Sequence, residues 1–317
     1  MTSLITGICG FAGRHLAAHL VASGDRVVGT YILESDKGNL GPLRRKVSLH
    51  RRDLRDLPKM AALIRKTKPD VVYHLAAQAS AALSFRKPVL TVDINVTGTV
   101  SLLEAIRQES PKTKLLYLSS ADVYGLVRPK DTPVKETHPP APRNPYAASK
   151  LAGEELCRQY IRSFGLHIVS VRVFNHTGPG QALGFVVPDF ASQIANLEKR
   201  SGRRRIKVGN LDAERDLSDV RDIVRGYRLL IQKGKSGEVY HLAGGTVYRM
   251  RTILDMMLDM ARVPIEVVDD PKRMRPSDLP ILSGSTTKTR RITGWRPSIP
   301  IETTLADSLD YWRNHGN

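Results

Sequence analysis

The sequence predicts an α/β fold in which a doubly wound parallel sheet is followed by a smaller C-terminal α/β domain. Short apolar runs at residues 3–6, 25–31 and 114–118 have the length and composition of buried strands. Residues 14–24 and 146–164 repeat apolar positions at helical spacing, so strands and helices alternate along the chain. Such alternation is typical of a parallel sheet with helices on both faces.

The junction between the first strand and the first helix is rich in glycine. Gly7, Gly10 and Gly13 lie there, with Phe11 and Ala12 between the last two. Glycines in this position let the backbone approach a pyrophosphate and expose the helix N-terminus to it. We therefore predict that these five residues bind a dinucleotide cofactor.

The length of the chain suits a dinucleotide-binding domain with one addition. A chain of 317 residues with 41% hydrophobic content can bury a large core and is long for a single domain. We expect a Rossmann-like dinucleotide-binding domain over residues 1–174, to which a later segment of about 211–243 returns. Residues 175–317 are expected to form mainly the substrate-binding domain.

The end of the second strand bears on the choice of coenzyme. An acidic residue at this place favours a cofactor without a 2′-phosphate, and an arginine favours the phosphorylated form. The strand ends in Thr30 and Tyr31, Glu34 and Asp36 follow, and basic residues come only later. NADPH and NADH therefore both stay open.

Tyr146 and Lys150 are four residues apart, which places them on one face of a helix. A free tyrosine has a pKa of about 10 and is a poor proton donor at neutral pH unless a cation stabilises its phenolate. We predict that Lys150 is this cation and lowers the pKa of Tyr146. Ser119 and Ser120 end the strand at 114–118, where hydroxyls can hold a substrate oxygen for protonation.

The charge and cysteine content limit the other classes of function. Lys and Arg number 49 against 31 Asp and Glu, a net charge of +18, with basic clusters at residues 44–46 and 199–205. This charge attracts nucleic acid or anionic nucleotides, but no nucleic-acid-binding motif is recognised, and most of these side chains are interpreted as solvated surface. Cys9 and Cys157 offer neither a metal site nor a disulfide framework. We expect a cytoplasmic protein with no bound metal and no apolar run long enough to cross a membrane.

Three motifs together resemble the extended short-chain dehydrogenase/reductases that act on nucleotide sugars. They are the Gly-x-x-Gly-x-x-Gly loop, Ser-Ser-x-Asp-Val-Tyr-Gly at 119–125, and Asn-Pro-Tyr-x-x-Ser-Lys at 144–150. The resemblance covers essentially the whole chain. It implies that Ser120, Tyr146 and Lys150 are catalytic, and it assigns further cofactor contacts to Asp53, Leu54, Leu75, Ala76, Ala77, Asn95, Phe174 and His176.

Later blocks resemble the members of this family that bind GDP-sugars. Gly-Asn-Leu-x-Ala-x-Arg-Asp at 209–216 and Arg-Pro-Ser-Asp at 275–278 match blocks in which arginine binds phosphate and aspartate binds ribose. Arginine suits the role because its fork matches phosphate oxygens bidentately. The implied substrate contacts are Ser120, Asp122, Asn175, Val187, Lys199, Arg215, Arg275 and Asp278.

The two residues after Ser120 bear on the reaction. The family's 4,6-dehydratases place acid–base groups there to remove the C5 proton and expel the C6 hydroxyl, whereas this chain has Ala121 and Asp122. Since a methyl group cannot move a proton and Asp is shorter than Glu, the resemblance favours simple reduction of a GDP-linked 4-keto-6-deoxy sugar by NADPH or NADH. It also implies a homodimer.

Three alternatives stay open at this stage. A 4,6-dehydratase with altered acid–base residues and a 4-epimerase that keeps its cofactor bound are both enzymes of the same family. A non-catalytic dinucleotide-sensing or nucleic-acid-binding protein would use the positive charge, although it has no need of Ser120, Tyr146 and Lys150.

Overall fold

The computed structural model describes residues 1–273 and 281–315. Its strands are β1 Thr2–Thr6, β2 Arg26–Tyr31, β3 Ser48–Arg51, β4 Val71–His74, β5 Lys114–Ser120, β6 Ile168–Val173, β7 Asn175–Thr177, β8 Arg205–Val208, β9 Glu214–Asp219, β10 Val239–Leu242, β11 Val247–Arg249, β12 Glu266–Asp269 and β13 Ile281–Leu282. Its helices are α1 Phe11–Ala22, α2 Leu57–Thr67, α3 Ala81–Arg86, α4 Pro88–Val92, α5 Gly98–Glu109, α6 Pro145–Phe164, α7 Val186–Glu198, α8 Val220–Lys233, α9 Met250–Asp259, α10 Thr287–Thr293 and α11 Ile301–His315.

Seven strands form the central sheet in the order β3-β2-β1-β4-β5-β6-β10, and every neighbouring pair is parallel. One core layer packs α2, α5 and α6 against one face of the sheet, and another packs α1 and α8 against the opposite face. The inner strands are apolar almost throughout because both of their faces are covered. The prediction of a doubly wound parallel sheet is confirmed.

The strand order reverses on either side of β1, whose neighbours are β2 and β4. In sheets of this kind, ligands bind in the crevice outside the carboxyl ends of the strands at such a reversal. The loops after β1 and β4 open onto this crevice, and the loop after β5 lies beside them. The predicted cofactor and catalytic residues lie on these loops and on α6.

The rest of the described chain forms a smaller α/β layer. Strand β9 pairs with β7, β11 and β13, strand β8 pairs with β12, and α7, α9 and α11 pack around a separate apolar core. Within the segment of about 211–243 that was predicted to return to the large sheet, α8 and β10 lie in the central layers and β9 lies in the small sheet. The domain limits stay a prediction.

The helical run Pro88–Glu109 corrects one expectation. By length and composition it is apolar enough to cross a membrane, whereas the sequence was expected to contain no such stretch. Half of its apolar window is buried in the protein, and α5 packs against α2 and α6. A core helix of a soluble protein meets the same criterion, so the run is weak evidence for a membrane span. Its exposed apolar residues are Val89, Leu90 and Val92 on α4.

Candidate active site

A cavity of about 360 Å³ lies at the carboxyl ends of the central strands. Its volume falls within the range of small-molecule sites, roughly 300–1,000 Å³. We call it the reaction cavity. The predicted site residues on its walls are Gly7, Gly10, Phe11, Ala12, Gly13, Leu75, Ala77, Ser120, Asp122, Tyr146, Lys150, Phe174, Asn175 and His176.

The glycine loop has the geometry of a phosphate cradle. Gly7 has a φ of +71°, and a Cβ there would lie 3.0 Å from the Cα of Ala76. A Cβ on Gly13 would lie 2.4 Å from the carbonyl oxygen of Gly7. Gly10 is the N-cap of α1, and no side chain caps the helix there. Gly10, Phe11 and Ala12 line the reaction cavity, so the N-terminus of α1 faces it. Such a terminus favours a pyrophosphate, and the loop therefore fits a dinucleotide.

A buried hydrogen-bond chain fixes the neighbouring turn. Ala76 N donates to Thr6 Oγ1 at 3.1 Å, Thr6 Oγ1 lies 2.9 Å from His74 Nδ1, and His74 Nε2 lies 3.0 Å from Thr99 Oγ1. Burial lowers the pKa of His74 to about 3, so its ring is neutral. His74 therefore holds the turn in place, as its packed strand position predicts, and does not act as a base.

The start of α6 sets the position of Tyr146. Asn144 Oδ1 accepts a hydrogen bond from Ala147 N at 2.7 Å, and Pro145 occupies the first helical position. Both residues are favoured at these places because Asn satisfies an unpaired amide and Pro has none to satisfy. Tyr146 follows at the second position and faces the reaction cavity, which Ser120 also lines.

The pKa of Tyr146 moves in the opposite direction to the prediction. Burial raises it, the Asp122 carboxylate raises it further, and only the hydrogen bond from Ser120 lowers it. Lys150 does not lower it, because Lys150 Nζ donates to the carbonyl oxygen of Leu118 at 2.7 Å instead. A phenol with a raised pKa keeps its proton at neutral pH and is a weaker acid than a free tyrosine.

Lys150 forms the rear wall of the cavity. It is 5% exposed, and its Nζ lies 5.3 Å from the centre of the Tyr117 ring. Burial lowers its pKa to about 8, so the side chain is mostly a cation at neutral pH. That Lys150 supplies a positive charge beside Tyr146 stays a prediction.

Asp122 contributes a carboxyl group to the same cavity. Its backbone amide donates to Ser120 Oγ at 3.1 Å, in the short 3₁₀ turn that follows β5. Burial raises the pKa of Asp122, and the positive charge of Arg215 lowers it. The charge of Asp122 therefore acts on the Tyr146 hydroxyl and is itself influenced by Arg215 of the smaller layer.

A second cavity of about 160 Å³ adjoins the reaction cavity and shares Asn175, His176, Gln181 and Phe185 with it. We call it the substrate cleft. The predicted residues Val187 and Arg215 line it. Asp216, the neighbour of Arg215, lies on the other face of β9 and accepts hydrogen bonds from Gly244 N and Gly245 N. Arg215 therefore lines the substrate cleft, whereas the Asp216 carboxylate does not.

Comparison with known proteins identifies the family of this chain. The family model of GDP-mannose 4,6-dehydratase matches residues 4–308. This chain belongs to the GDP-mannose 4,6-dehydratase family. It is 37% identical over 310 residues to GDP-6-deoxy-D-mannose reductase of Pseudomonas aeruginosa, covering 98% of this chain and 96% of the relative. It is 30% identical to a GDP-mannose 4,6-dehydratase of Vibrio cholerae, covering 97% and 92%.

Solved structures of similar proteins have the same fold. The structure of RMD from Pseudomonas aeruginosa complexed with NADPH has a TM-score of 0.87 at 35% identity, and 99% of each chain is covered. UDP-glucose 4-epimerase from Thermotoga maritima with UDP-glucose has a TM-score of 0.90 at 28% identity, again with 99% of each chain covered. The predicted membership of the extended short-chain dehydrogenase/reductases is confirmed.

Some predicted contacts of this GDP-mannose 4,6-dehydratase family member lie away from both cavities. Asn95 is buried behind the wall, where it bonds both backbone groups of Gln78 and the hydroxyl of Ser149. It therefore positions the loop after β4 and helix α6. Lys199 is exposed at the C-terminus of α7, the opposite end from Val187.

Two predicted pairs cannot be placed on the cavity walls. Asp53 follows β3 and is bound by Arg55 through two contacts of 3.0 and 2.6 Å, while Leu54 is buried against the helix at Gly98. Their assignment to the adenine stays a prediction. Arg275 and Asp278 lie outside the described residues.

Sequence reasoning missed several residues of the site. Lys207 and Arg273 line the substrate cleft, and Tyr227 lines the reaction cavity. Charged and apolar residues alternate in Arg205-Ile206-Lys207-Val208, which predicts that one face of β8 is exposed. No sequence pattern indicates which ligand contacts that face. Tyr227 lies on a helix far from the motifs, where a tyrosine at an apolar position indicates only core.

Proposed function

We propose that the protein reduces the C4 keto group of GDP-4-keto-6-deoxy-D-mannose to give GDP-D-rhamnose, with NADPH or NADH as coenzyme. The observation that carries the proposal is the convergence of Ser120, Tyr146 and Lys150 on the wall of the reaction cavity. The relative from Pseudomonas aeruginosa is a GDP-6-deoxy-D-mannose reductase, and the solved structure from that organism contains NADPH.

The chain supplies the proton and the orientation for this reduction. A bound nicotinamide coenzyme supplies the hydride to C4. The Tyr146 hydroxyl is protonated at neutral pH and donates its proton to the C4 oxygen as negative charge develops there during hydride transfer. Ser120 holds that oxygen by a second hydrogen bond, and Lys150 would hold the nicotinamide ribose. The ketone thereby becomes an alcohol, and Tyr146 recovers its proton from solvent.

The substrate cleft suits the diphosphate of a nucleotide sugar. Arg215, Lys207 and Arg273 bring three cationic groups to it, with Asp189 at 3.7 Å from Arg273. Arg215 also faces Asp122 across the boundary with the reaction cavity. Phosphate oxygens between these cations would leave the sugar directed toward Tyr146. Arg275 and Asp278 stay proposed contacts on the same ligand.

A GDP-mannose 4,6-dehydratase is the second candidate, favoured by the family model and the Vibrio cholerae relative. Elimination needs a base for the C5 proton and an acid for the C6 hydroxyl. Ala121 is buried at 2% exposure and carries no acid–base group, so Asp122 would have to serve alone. The site therefore favours reduction.

The test follows coenzyme oxidation with purified protein and freshly generated GDP-4-keto-6-deoxy-mannose, with NADPH and NADH in separate assays and the product identified by NMR. We expect GDP-rhamnose from the wild type, no turnover from Tyr146→Phe, and nearly unchanged coenzyme binding by that variant. Full activity of Tyr146→Phe would remove the tyrosine from the acid role. Formation of the keto sugar from GDP-mannose, without coenzyme oxidation, would identify a dehydratase.

We also propose that the protein is a cytoplasmic homodimer. Helices α3 and α4 expose Phe85, Val89 and Leu90, with Val89 81% exposed, and they pack beside α6. An apolar surface of this kind is a common interface between copies. Light scattering should give the mass of a dimer for the wild type and of a monomer for Val89→Asp. A monomeric wild type would reject the proposal.

A further inference from the structure

Two hydroxyl groups in the reaction cavity have no role in the proposed reduction. Ser119 Oγ and Tyr227 OH are buried, and neither has a hydrogen-bond partner within residues 1–273 and 281–315. Both residues line the reaction cavity. A buried polar atom left without a partner costs about 1–3 kcal/mol, so such atoms indicate a missing partner. A ligand of this cavity is the natural source of one.

Tyr227 is held rigidly. It lies on α8, is 0% exposed, and belongs to the same core layer as Ile8, Leu118 and Val171. Tyr227 lines the reaction cavity from this packed position, and its hydroxyl is itself buried. Burial raises the pKa of Tyr227, so the hydroxyl keeps its proton and can both donate and accept a hydrogen bond.

The position of Tyr227 identifies which ligand reaches it. Tyr227 lines the reaction cavity together with the glycine loop, but it does not line the substrate cleft. Phe11 and Val173, two other walls of the reaction cavity, pack against the same apolar core. These apolar walls of the reaction cavity fit a flat ring with a single polar substituent better than a sugar with hydroxyls on every carbon.

We propose that the Tyr227 hydroxyl binds the carboxamide of the nicotinamide ring and thereby fixes how deeply that ring enters the reaction cavity. A carboxamide offers both a donor and an acceptor, which the hydroxyl can satisfy. The inference rests on the proposed function only in requiring a nicotinamide coenzyme in this cavity. It does not depend on which nucleotide sugar is the substrate.

The chain offers a matched control for this contact. Tyr73 on β4 is also 0% exposed, its hydroxyl also has no hydrogen-bond partner in the described part of the chain, and it lies in the same core layer. It does not line the reaction cavity. Tyr73→Phe and Tyr227→Phe therefore remove the same buried atom, and only the second variant removes it from the cavity.

The experiment measures coenzyme binding without substrate. Quenching of protein fluorescence gives the dissociation constants of NADPH and NADH, and of 2′-phospho-ADP-ribose and ADP-ribose, which lack the nicotinamide. We expect Tyr227→Phe to weaken the intact coenzymes about 5–10-fold and to leave both fragments unchanged, since one hydrogen bond is lost. Tyr73→Phe should change neither.

Thermal unfolding separates this role from a structural one. Without coenzyme, Tyr227→Phe should unfold at the wild-type temperature or above it, because the variant no longer buries an unpaired hydroxyl. With coenzyme, its gain in unfolding temperature should be smaller than that of the wild type. Equal weakening of coenzymes and fragments, unchanged coenzyme binding, or a lower unfolding temperature without coenzyme would each overturn the assignment.

Discussion

The ion pair between Glu154 and Arg172 should be one of the most costly interactions in the protein to break. Arg172 Nε and a terminal nitrogen donate to the two Glu154 oxygens at 2.9 and 2.7 Å. Glu154 is 0% exposed and Arg172 is 2% exposed. The same guanidinium donates to Tyr124 OH at 2.8 Å, and that hydroxyl lies 2.5 Å from His241 Nε2. The pair therefore ties α6 to β6 and to the turn after β5.

Glu154→Gln keeps the shape of the side chain and removes its charge. The Arg172 cation then stays buried without a counter-charge of comparable geometry, which costs about 3–5 kcal/mol of unfolding free energy. Arg65 and Glu109 provide the control, since they form the same two-contact geometry at 2.7 and 2.6 Å. The Arg65 side chain is 67% exposed, so Glu109→Gln should cost much less than Glu154→Gln.

Urea denaturation followed by circular dichroism measures both variants against the wild type. Urea is uncharged and does not screen the ion pairs as guanidinium would. The reasoning is refuted if Glu154→Gln loses less than about 1 kcal/mol of unfolding free energy, or no more than Glu109→Gln.

Glu154→Gln has a second consequence, because Glu154 raises the pKa of Lys150, one turn away on α6. Its removal should move the alkaline decline of activity to lower pH.

Three further predictions concern pH and the catalytic helix. The value of kcat/KM should fall as the pH rises through about 8, because Lys150 loses its charge there, and a flat profile up to pH 9.5 would contradict this. Burial raises the pKa of Asp216 to about 6, so the folded state holds a proton that the unfolded state releases near pH 4. The wild type therefore loses stability from this group as the pH rises from about 4 to 6, by at most about 3 kcal/mol. Asp216→Asn has no such carboxyl group, so its unfolding free energy should rise relative to that of the wild type over the same interval. A constant difference between the two proteins would contradict this. Asn144→Ala removes the cap of α6 and should cost about 1 kcal/mol of unfolding free energy in urea denaturation. It should also lower kcat, because the cap sets the position of Tyr146. An unchanged kcat would show that the cap does not affect catalysis.

The sequence alone predicted the fold class and the residues of the reaction cavity that lie in local motifs. Gly7, Gly10 and Gly13 are informative because a strand–loop–helix junction is a local structure with its own steric requirements. Tyr146 and Lys150 are informative because helical spacing fixes their common face. In each case the residues that decide the geometry are within one turn or one loop of each other.

Only the tertiary structure decided the partners and the protonation of these residues. The sequence offered no reason to pair Glu154 with Arg172 or to bring Tyr227 on α8 to the cavity of Ser120. It also predicted a lowered pKa for Tyr146, where burial and Asp122 raise it. Contacts between distant segments and the removal of water depend on how the layers pack, and packing is a property of the whole chain rather than of any motif in it.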